Sequence, residues 1–107
     1  LTLWLAPAPE GGSAAPPASH AAGIYHHEQW RAESLLQSRR HFEEAIAAAP
    51  EFADSRAYLA IVVLDMADVG LITAGEAGRI AERQVGRALH LAPRSAVAQA
   101  ALASVET

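Results

Sequence analysis

The chain has 107 residues, no cysteine and a formal net charge of −4; its eight basic residues are all arginine, and much of its 51% hydrophobic content is alanine. One domain is therefore the upper bound, and disulfides, thiol catalysis and cysteine-based zinc sites are excluded. Because a phosphate-binding surface normally needs an excess of basic residues, the charge argues against direct nucleic-acid binding by this segment.

The N-terminal segment, residues 1–19, is predicted to lie outside the folded domain. Leu1–Ala6 is apolar but much shorter than the roughly 20 residues of a membrane-spanning helix. It is interpreted either as the last turns of such a helix, with Trp4 at the interface, or as a disordered terminus. Pro7–Ser19 contains four prolines and two glycines, which is typical of a linker. The folded domain is then predicted to occupy residues 20–107.

Five helices are predicted after this linker. The first extends from about His20 to Arg31 and takes Ser19 as its N-cap, since a serine hydroxyl can accept a hydrogen bond from the first helical turn. Tyr25 and Trp30 lie on overlapping sides of this helix. Both aromatic rings are therefore expected to pack against the second helix.

The second predicted helix, about Leu35–Ala49, opens with a capping box of Ser34 and Gln37. It stops at Pro50, because the residue before a proline avoids the helical region. Its outward face is expected to carry the i,i+4 ion pairs Arg39–Glu43 and Arg40–Glu44. Spacings of three and four predict one buried face, formed by Leu35, Ser38, Phe42, Ala45, Ile46 and Ala49.

The third predicted helix, about Ala53–Ala67, carries the apolar run Leu59–Leu64. Such a run is too broad for a surface helix, so this helix is expected to be central and packed on two sides. Gly70 is expected to end it. Asp65 and Asp68 are interpreted as a solvated edge near the end of the helix.

Capping residues precede both of the remaining helices. Thr73 with Glu76 forms a second capping box before the fourth helix, and Ser95 caps the fifth. Gly86 in the fourth helix is expected to let a neighbouring helix approach closely. The predicted ranges are about Ala74–Leu91, which stops at Pro93, and about Ala96–Val105.

The helix–proline–helix arrangement occurs twice at one spacing. The motif F-x-x-A-x-x-x-x-P over residues 42–50 returns with valine first over residues 85–93, and a Leu-Ala pair begins nine residues after each proline. This pattern resembles the tetratricopeptide repeat. The two prolines are 43 residues apart (93 − 50), against about 34 in the standard repeat. The extra residues are placed between the third and fourth helices, at about 67–75.

The resemblance covers residues 20–107 and implies an all-α fold: a solenoid of antiparallel helix pairs, with five helices in about two and a half repeats. In such arrays the first helix of each pair lines a concave face that binds a protein or peptide partner. Trp and Arg are also enriched at interface hot spots. The alternative is that Trp30 and Ile61 belong to the core between repeats. The concave face implied by the resemblance comprises His27, Trp30, Arg31, Asp54, Ile61, Leu64 and Asp65.

More specifically, the chain is similar to the repeat region of membrane-anchored bacterial transcriptional regulators of the CadC/ToxR-like winged-helix type. In these proteins a cytoplasmic DNA-binding domain, one membrane helix and a linker precede the extracytoplasmic repeats. The resemblance implies a non-enzymatic interaction or sensory module on the periplasmic side of the inner membrane. The alternatives are a structural homo-oligomerisation domain and a repeat region attached to a cyclase or another signalling enzyme.

No catalytic, cofactor or metal site is predicted. The sequence has no nucleophile motif and no phosphate loop, and its glycines do not form a dinucleotide fingerprint because no strand precedes them. His26 and His27 are adjacent, so they point about 100° apart on a helix. No histidine pair has the i,i+4 spacing of a helical zinc site, which favours surface histidines over ligands. Pairing of His27 with His41 across helices and a pH-sensing role remain open alternatives.

Overall fold

The computed structural model describes residues 16–106, which form five α-helices and no β-strand. The predicted all-α class and the number of helices are confirmed for this range. The predicted membrane remnant Leu1–Ala6 and the linker as far as residue 15 lie outside the described residues. The helices are α1 (Ala18–Glu28), α2 (Ala32–Ala48), α3 (Ala53–Asp68), α4 (Ala74–Leu91) and α5 (Ala96–Glu106).

α1 begins earlier than predicted, directly after a proline pair. Pro17 is the N-cap residue, with φ −73° and ψ 157°, and its carbonyl accepts a hydrogen bond from the His20 N–H (3.0 Å). Ser19 lies inside the helix, so its prediction as the N-cap was wrong. A helix can start here because N–H groups at the start of a helix have no intrahelical acceptor. A proline at this position, which lacks an N–H, therefore removes no intrahelical hydrogen bond.

α2 also begins earlier than predicted. Its N-cap residue is Arg31, whose side chain makes no capping bond, and Ser34 lies in the first turn. The predicted capping box of Ser34 and Gln37 was therefore wrong. Both predicted ion pairs are present, with N···O distances of 3.3 Å and 3.9 Å. The predicted buried face is confirmed at its centre, where Leu35, Ser38, Phe42 and Ala45 are buried.

α3 is the central helix and contacts each of the other four. Its buried residues point in several directions around the axis, because neighbours cover it on more than one side. The prediction of a helix packed on two sides is therefore confirmed. The buried residues are Ala53, Ser55, Ala57, Leu59, Ala60, Val62, Val63 and Met66.

The junction between α3 and α4 follows local signals in the sequence. Gly70 has φ +80°, and the next N–H, of Leu71, donates to the Met66 carbonyl (2.8 Å), which closes the end of α3. The Thr73 hydroxyl accepts a hydrogen bond from the Glu76 N–H (3.1 Å) and caps α4. The loop between α3 and α4 is only five residues long (69–73). Much of the extra length relative to the standard repeat therefore lies within the two helices, which have 16 and 18 residues.

The α2–α3 and α4–α5 junctions, which contain Pro50 and Pro93 and are here called the proline junctions, have the same geometry. Ala49 before the first proline has φ −141° and ψ 76°, and Ala92 before the second has φ −146° and ψ 80°. In both, this residue's N–H donates to the carbonyl four residues earlier (2.8 Å). A side chain six residues after each proline donates back to the proline carbonyl, Arg56 to Pro50 (3.2 Å) and Gln99 to Pro93 (3.0 Å). The repeated sequence is therefore also a repeated structure.

Contacts between the described helices follow chain order. Each helix contacts the next; in addition, α3 contacts both α1 and α5, whereas no Cα atom of α2 lies within 8 Å of one of α4. α1, α3 and α5 therefore form a row with α3 in the middle. Ser95 ties the start of α5 to α3: its hydroxyl donates to Asp54 Oδ1 (2.7 Å) and accepts from the Ala98 N–H (3.2 Å), as expected of an N-cap.

Gly23 is a point of close approach between α1 and α2. A Cβ atom at this position would lie 2.7 Å from ring atoms of Phe42, and the Ser38 hydroxyl donates to the Gly23 carbonyl (2.7 Å). Gly86 is not at a close contact, because a Cβ atom at this position would have no neighbouring atom within 4 Å. The expectation that Gly86 allows a close helix approach was therefore wrong, and Gly23 has that role.

We expect Gly23→Ala to lower the free energy of unfolding by about 1–3 kcal/mol, because the added methyl group would displace Phe42 in a packed core. Gly86→Ala is the matched control and should raise that free energy by about 0.5–1 kcal/mol, since alanine is the better helix former. Denaturant titrations followed by circular dichroism measure both changes. Equal effects of the two substitutions would contradict the assigned close approach.

Candidate protein-interaction surface

A groove of about 610 Å³ lies where the end of α3, the start of α4 and the end of α5 meet. Its walls are mostly aliphatic or small side chains with two carboxylates among them, and none of the eight arginines lines it. Concave sites that combine aliphatic side chains with a few polar groups are the usual form of a binding pocket. The lining residues are Ile61, Leu64, Asp65, Ala67, Asp68, Ala74, Ala77, Gly78, Ser104 and Val105.

His27 connects this groove to α1. Its Nε2–H donates to Asp65 Oδ2 at 2.6 Å, and both side chains are partly buried. Asp65 is thus engaged with another helix, which corrects its interpretation as a solvated edge, whereas Asp68 is exposed. The alternative pairing of His27 with His41 is not formed, because His41 stacks on His26 with ring centroids 5.2 Å apart.

Trp30 lies beside His27, with ring centroids 6.3 Å apart, and is 55% exposed. Tyr25 is 62% exposed. Tyr25 nevertheless lines a depression with Ser34 and Gln37 of α2. The alternative that Trp30 belongs to the core was wrong. The reason is that α1 ends at Glu28, so Trp30 follows the helix and lies in the loop before α2.

The backbone of Trp30 is strained. Its φ is +52°, and no other non-glycine residue among 16–106 has a positive φ. The left-handed conformation costs an L-residue with a side chain about 1–2 kcal/mol. Such strain persists where the surrounding structure imposes it, and it is concentrated at binding sites. A large, exposed aromatic ring is therefore held at a position that glycine would occupy more easily.

Two of the predicted surface residues lie elsewhere. Arg31 is exposed and lines a separate depression with Tyr25 and His26. Asp54 is 11 residues from Asp65 on α3 (65 − 54), which is about 16 Å along a helix, and it accepts the hydrogen bond from Ser95. The structure thus brings together five of the seven predicted residues, here called the inner surface: His27, Trp30, Ile61, Leu64 and Asp65.

His20 is a buried polar residue that the sequence did not reveal. Its ring makes edge contacts with Phe42, Phe52 and Tyr58 at centroid distances of 4.9–5.4 Å, and a hydrogen bond of 2.9 Å joins Nδ1 to Ser55 Oγ. No local pattern indicates these contacts, because Ser55 lies 35 residues away on another helix. His20 ties the first turn of α1 to the first turn of α3, two helical turns before His27 on the same face of α1.

Burial lowers the pKa of His20 below its ordinary value of 6.5, and the nearby Asp54 carboxylate opposes that effect. Burial also raises the pKa of Tyr58, with smaller contributions from the charges of Asp54 and Glu28. Both groups are therefore favoured in their neutral forms. A neutral imidazole hydrogen-bonded to a serine inside an aromatic cluster joins two helices and needs no ligand.

Among residues 16–106, no three His, Asp or Glu side chains are grouped so that they could hold a metal ion. In the same range, no helix combines the length and the hydropathy needed to cross a membrane.

No family model, curated protein or solved structure matches this chain. The resemblance to tetratricopeptide repeats therefore depends on the repeated sequence spacing and on the equivalent proline junctions.

We expect protein stability to fall between about pH 7 and pH 5 in part because of His20. Its pKa is lower in the folded chain, so the unfolded chain takes up the proton first as the pH drops below 6.5. One such proton changes the free energy of unfolding by at most about 1.4 kcal/mol per pH unit. His20→Asn keeps a nitrogen near Ser55 but does not titrate, so denaturant titrations should show a shallower pH dependence for this variant. Identical pH slopes would contradict the prediction.

The free energy of unfolding should be about 0.5–1 kcal/mol higher for Trp30→Gly than for Trp30→Ala. Relief of about 1–2 kcal/mol of backbone strain exceeds the roughly 0.5–1 kcal/mol of chain entropy that glycine loses on folding. Trp30→Ala removes the same ring but keeps the strain, so it is the matched control and should give no gain. Thermal unfolding measures both variants; a glycine variant no more stable than the alanine variant would argue against the strain.

Proposed function

We propose that the described helices form a non-enzymatic protein-interaction module that binds a peptide or helical segment of a partner along the inner surface. The observation that carries this proposal is the exposed, strained Trp30, which continues through His27 and Asp65 into a groove lined by aliphatic residues and two carboxylates. Tryptophan is the residue type most enriched at interface hot spots, and such residues lie next to well-packed apolar contacts. Leu64 and Ile61 supply those contacts here.

The proposed architecture is that of stacked tetratricopeptide-like helix pairs, with α1–α2 and α3–α4 as two pairs and α5 as the first helix of a third. Two features support it. The proline junctions repeat in backbone angles and hydrogen bonds. Among the five helices of residues 16–106, contacts join only those that are adjacent or next but one in the chain, as expected when each repeat touches only its neighbours.

The module is proposed to be the extracytoplasmic, sensory part of a membrane-anchored transcriptional regulator. The order of segments in the sequence supports this assignment: the apolar Leu1–Ala6, then the proline-rich segment, then the helices. That order matches the layout of the CadC/ToxR-like regulators that the chain resembles.

A peptide-display experiment tests the interaction surface. A randomised 16-residue library is selected on the wild-type protein, and the affinity of enriched peptides is measured by fluorescence anisotropy. For peptides bound at the inner surface, Trp30→Ala should raise Kd about tenfold or more, the loss typical of an interface hot spot. Leu36→Ala is the control, because Leu36 is 50% exposed on α2 and lies outside the inner surface.

The proposal fails if no peptide is enriched, or if every enriched peptide binds the Trp30→Ala protein as tightly as the wild type. Sedimentation of the free protein distinguishes the homo-oligomerisation alternative. A dimer that forms at micromolar concentration and dissociates in the Trp30→Ala variant would show that the inner surface binds a second copy instead.

A further inference from the structure

A second groove lies between α2 and α4, above α3, and has a volume of about 270 Å³. It lies where α2 and α4 diverge, since no Cα atom of one comes within 8 Å of a Cα atom of the other, and Leu59 of α3, itself buried, forms its floor. Its apolar lining comes from all three helices, as Ile46, Leu59 and Ile80. We call this feature the outer groove; its remaining lining residues are Arg39, Glu43, Arg83 and Gln84.

Arginines surround the outer groove. Arg39 is bonded to Glu43, the one carboxylate among the lining residues, and Arg56 donates from Nη1 to Gln84 Oε1 at 3.1 Å. Arg83 is exposed and makes no hydrogen bond or ion pair within residues 16–106. Most of the positive charge beside this groove is therefore without a carboxylate partner.

Arg87 adds to this charge. It is exposed one turn after Arg83 on α4 and likewise has no hydrogen-bond or ion-pair partner within the described range. It is also close enough to Arg56 to repel it: burial, and then the charge of Arg87, lower the pKa of Arg56. Like charges held near one another on a surface attract an anionic partner.

We propose that the outer groove binds an acidic amphipathic segment of a protein, whose apolar side chain enters between Ile46, Leu59 and Ile80 while its carboxylates pair with Arg83 and Arg87. Arginine suits this role because its planar guanidinium can hold a carboxylate through two parallel hydrogen bonds. The cavity is smaller than the 300–1,000 Å³ typical of small-molecule sites, which fits the entry of one or two side chains.

Charge complementarity and the apolar floor favour a protein segment over nucleic acid. A nucleic acid would bring a long row of phosphates to a chain with a net charge of −4, and it would gain nothing from the three aliphatic residues. An acidic peptide uses both features and needs only a few charges. This surface is separate from the inner surface and shares no lining residue with it.

The test is a selection from a randomised 16-residue displayed library on the wild-type protein, with counter-selection on Arg83→Glu/Arg87→Glu. Enriched peptides should carry a net negative charge and at least one large apolar residue. For a fluorescein-labelled enriched peptide, we expect Kd from anisotropy to rise about tenfold or more in Arg83→Gln/Arg87→Gln and further in the glutamate variant. Binding should also weaken with added salt.

Two controls locate the effect. Arg31→Glu/Arg94→Glu makes the same charge change at exposed arginines outside α4 and away from the outer groove, and it should leave Kd within about twofold. Trp30→Ala should also leave Kd unchanged, which separates this proposal from the function proposed for the inner surface. Circular dichroism should show unchanged helicity in all variants, because every substituted arginine is exposed.

Four results would overturn the proposal. The selection could yield no peptide, or peptides without an acidic excess. The Arg31→Glu/Arg94→Glu control could weaken binding as much as the test variant, which would indicate an effect of net charge alone. A fluorescein-labelled 16-nucleotide oligothymidine could bind as tightly as the peptide and lose affinity in the same variant, which would assign the groove to nucleic acid.

Discussion

Burial of α3 is the constraint on which the rest of this structure depends. Half of its 16 residues are buried, and they face several directions, so the helix is stable only when other helices cover it. Burying an aliphatic side chain such as Val62, Val63 or Leu59 contributes about 1.5–3 kcal/mol each. Because alanines occupy many of the other contact positions, the neighbouring helices can approach α3 closely.

Both grooves arise from the way in which the neighbours cover α3. α1 and α5 flank it in one row and meet its C-terminal half near Asp65, whereas α2 and α4 pack on it separately and leave a gap. Although the net charge of the chain is small, acidic and basic side chains are distributed unequally between the two grooves. Carboxylates and no arginine line the first groove, and arginines surround the second. In the proposed module, the two surfaces would therefore select partner segments of different chemistry.

Local sequence signals were sufficient to predict most of the helix boundaries. The C-terminal glycine of α3 and the caps of α4 and α5 are set by residues within one turn, namely Gly70, Thr73 and Ser95. The same reasoning failed at Ser19 and Ser34. Both hydroxyls could cap a helix, but α1 starts directly after the proline pair and α2 starts at Ala32, with Arg31 as its N-cap residue.

The sequence alone determined that the chain is helical, where its central helix lies and which junction is repeated, because these properties depend on residues close together along the chain. Only the tertiary structure decided which residues meet at a surface. His27 and Asp65 are 38 residues apart and His20 and Ser55 are 35 apart, so periodicity carries no information about either contact. The exposure of Trp30 was likewise decided by where α1 stops, which depends on how it packs against its neighbours.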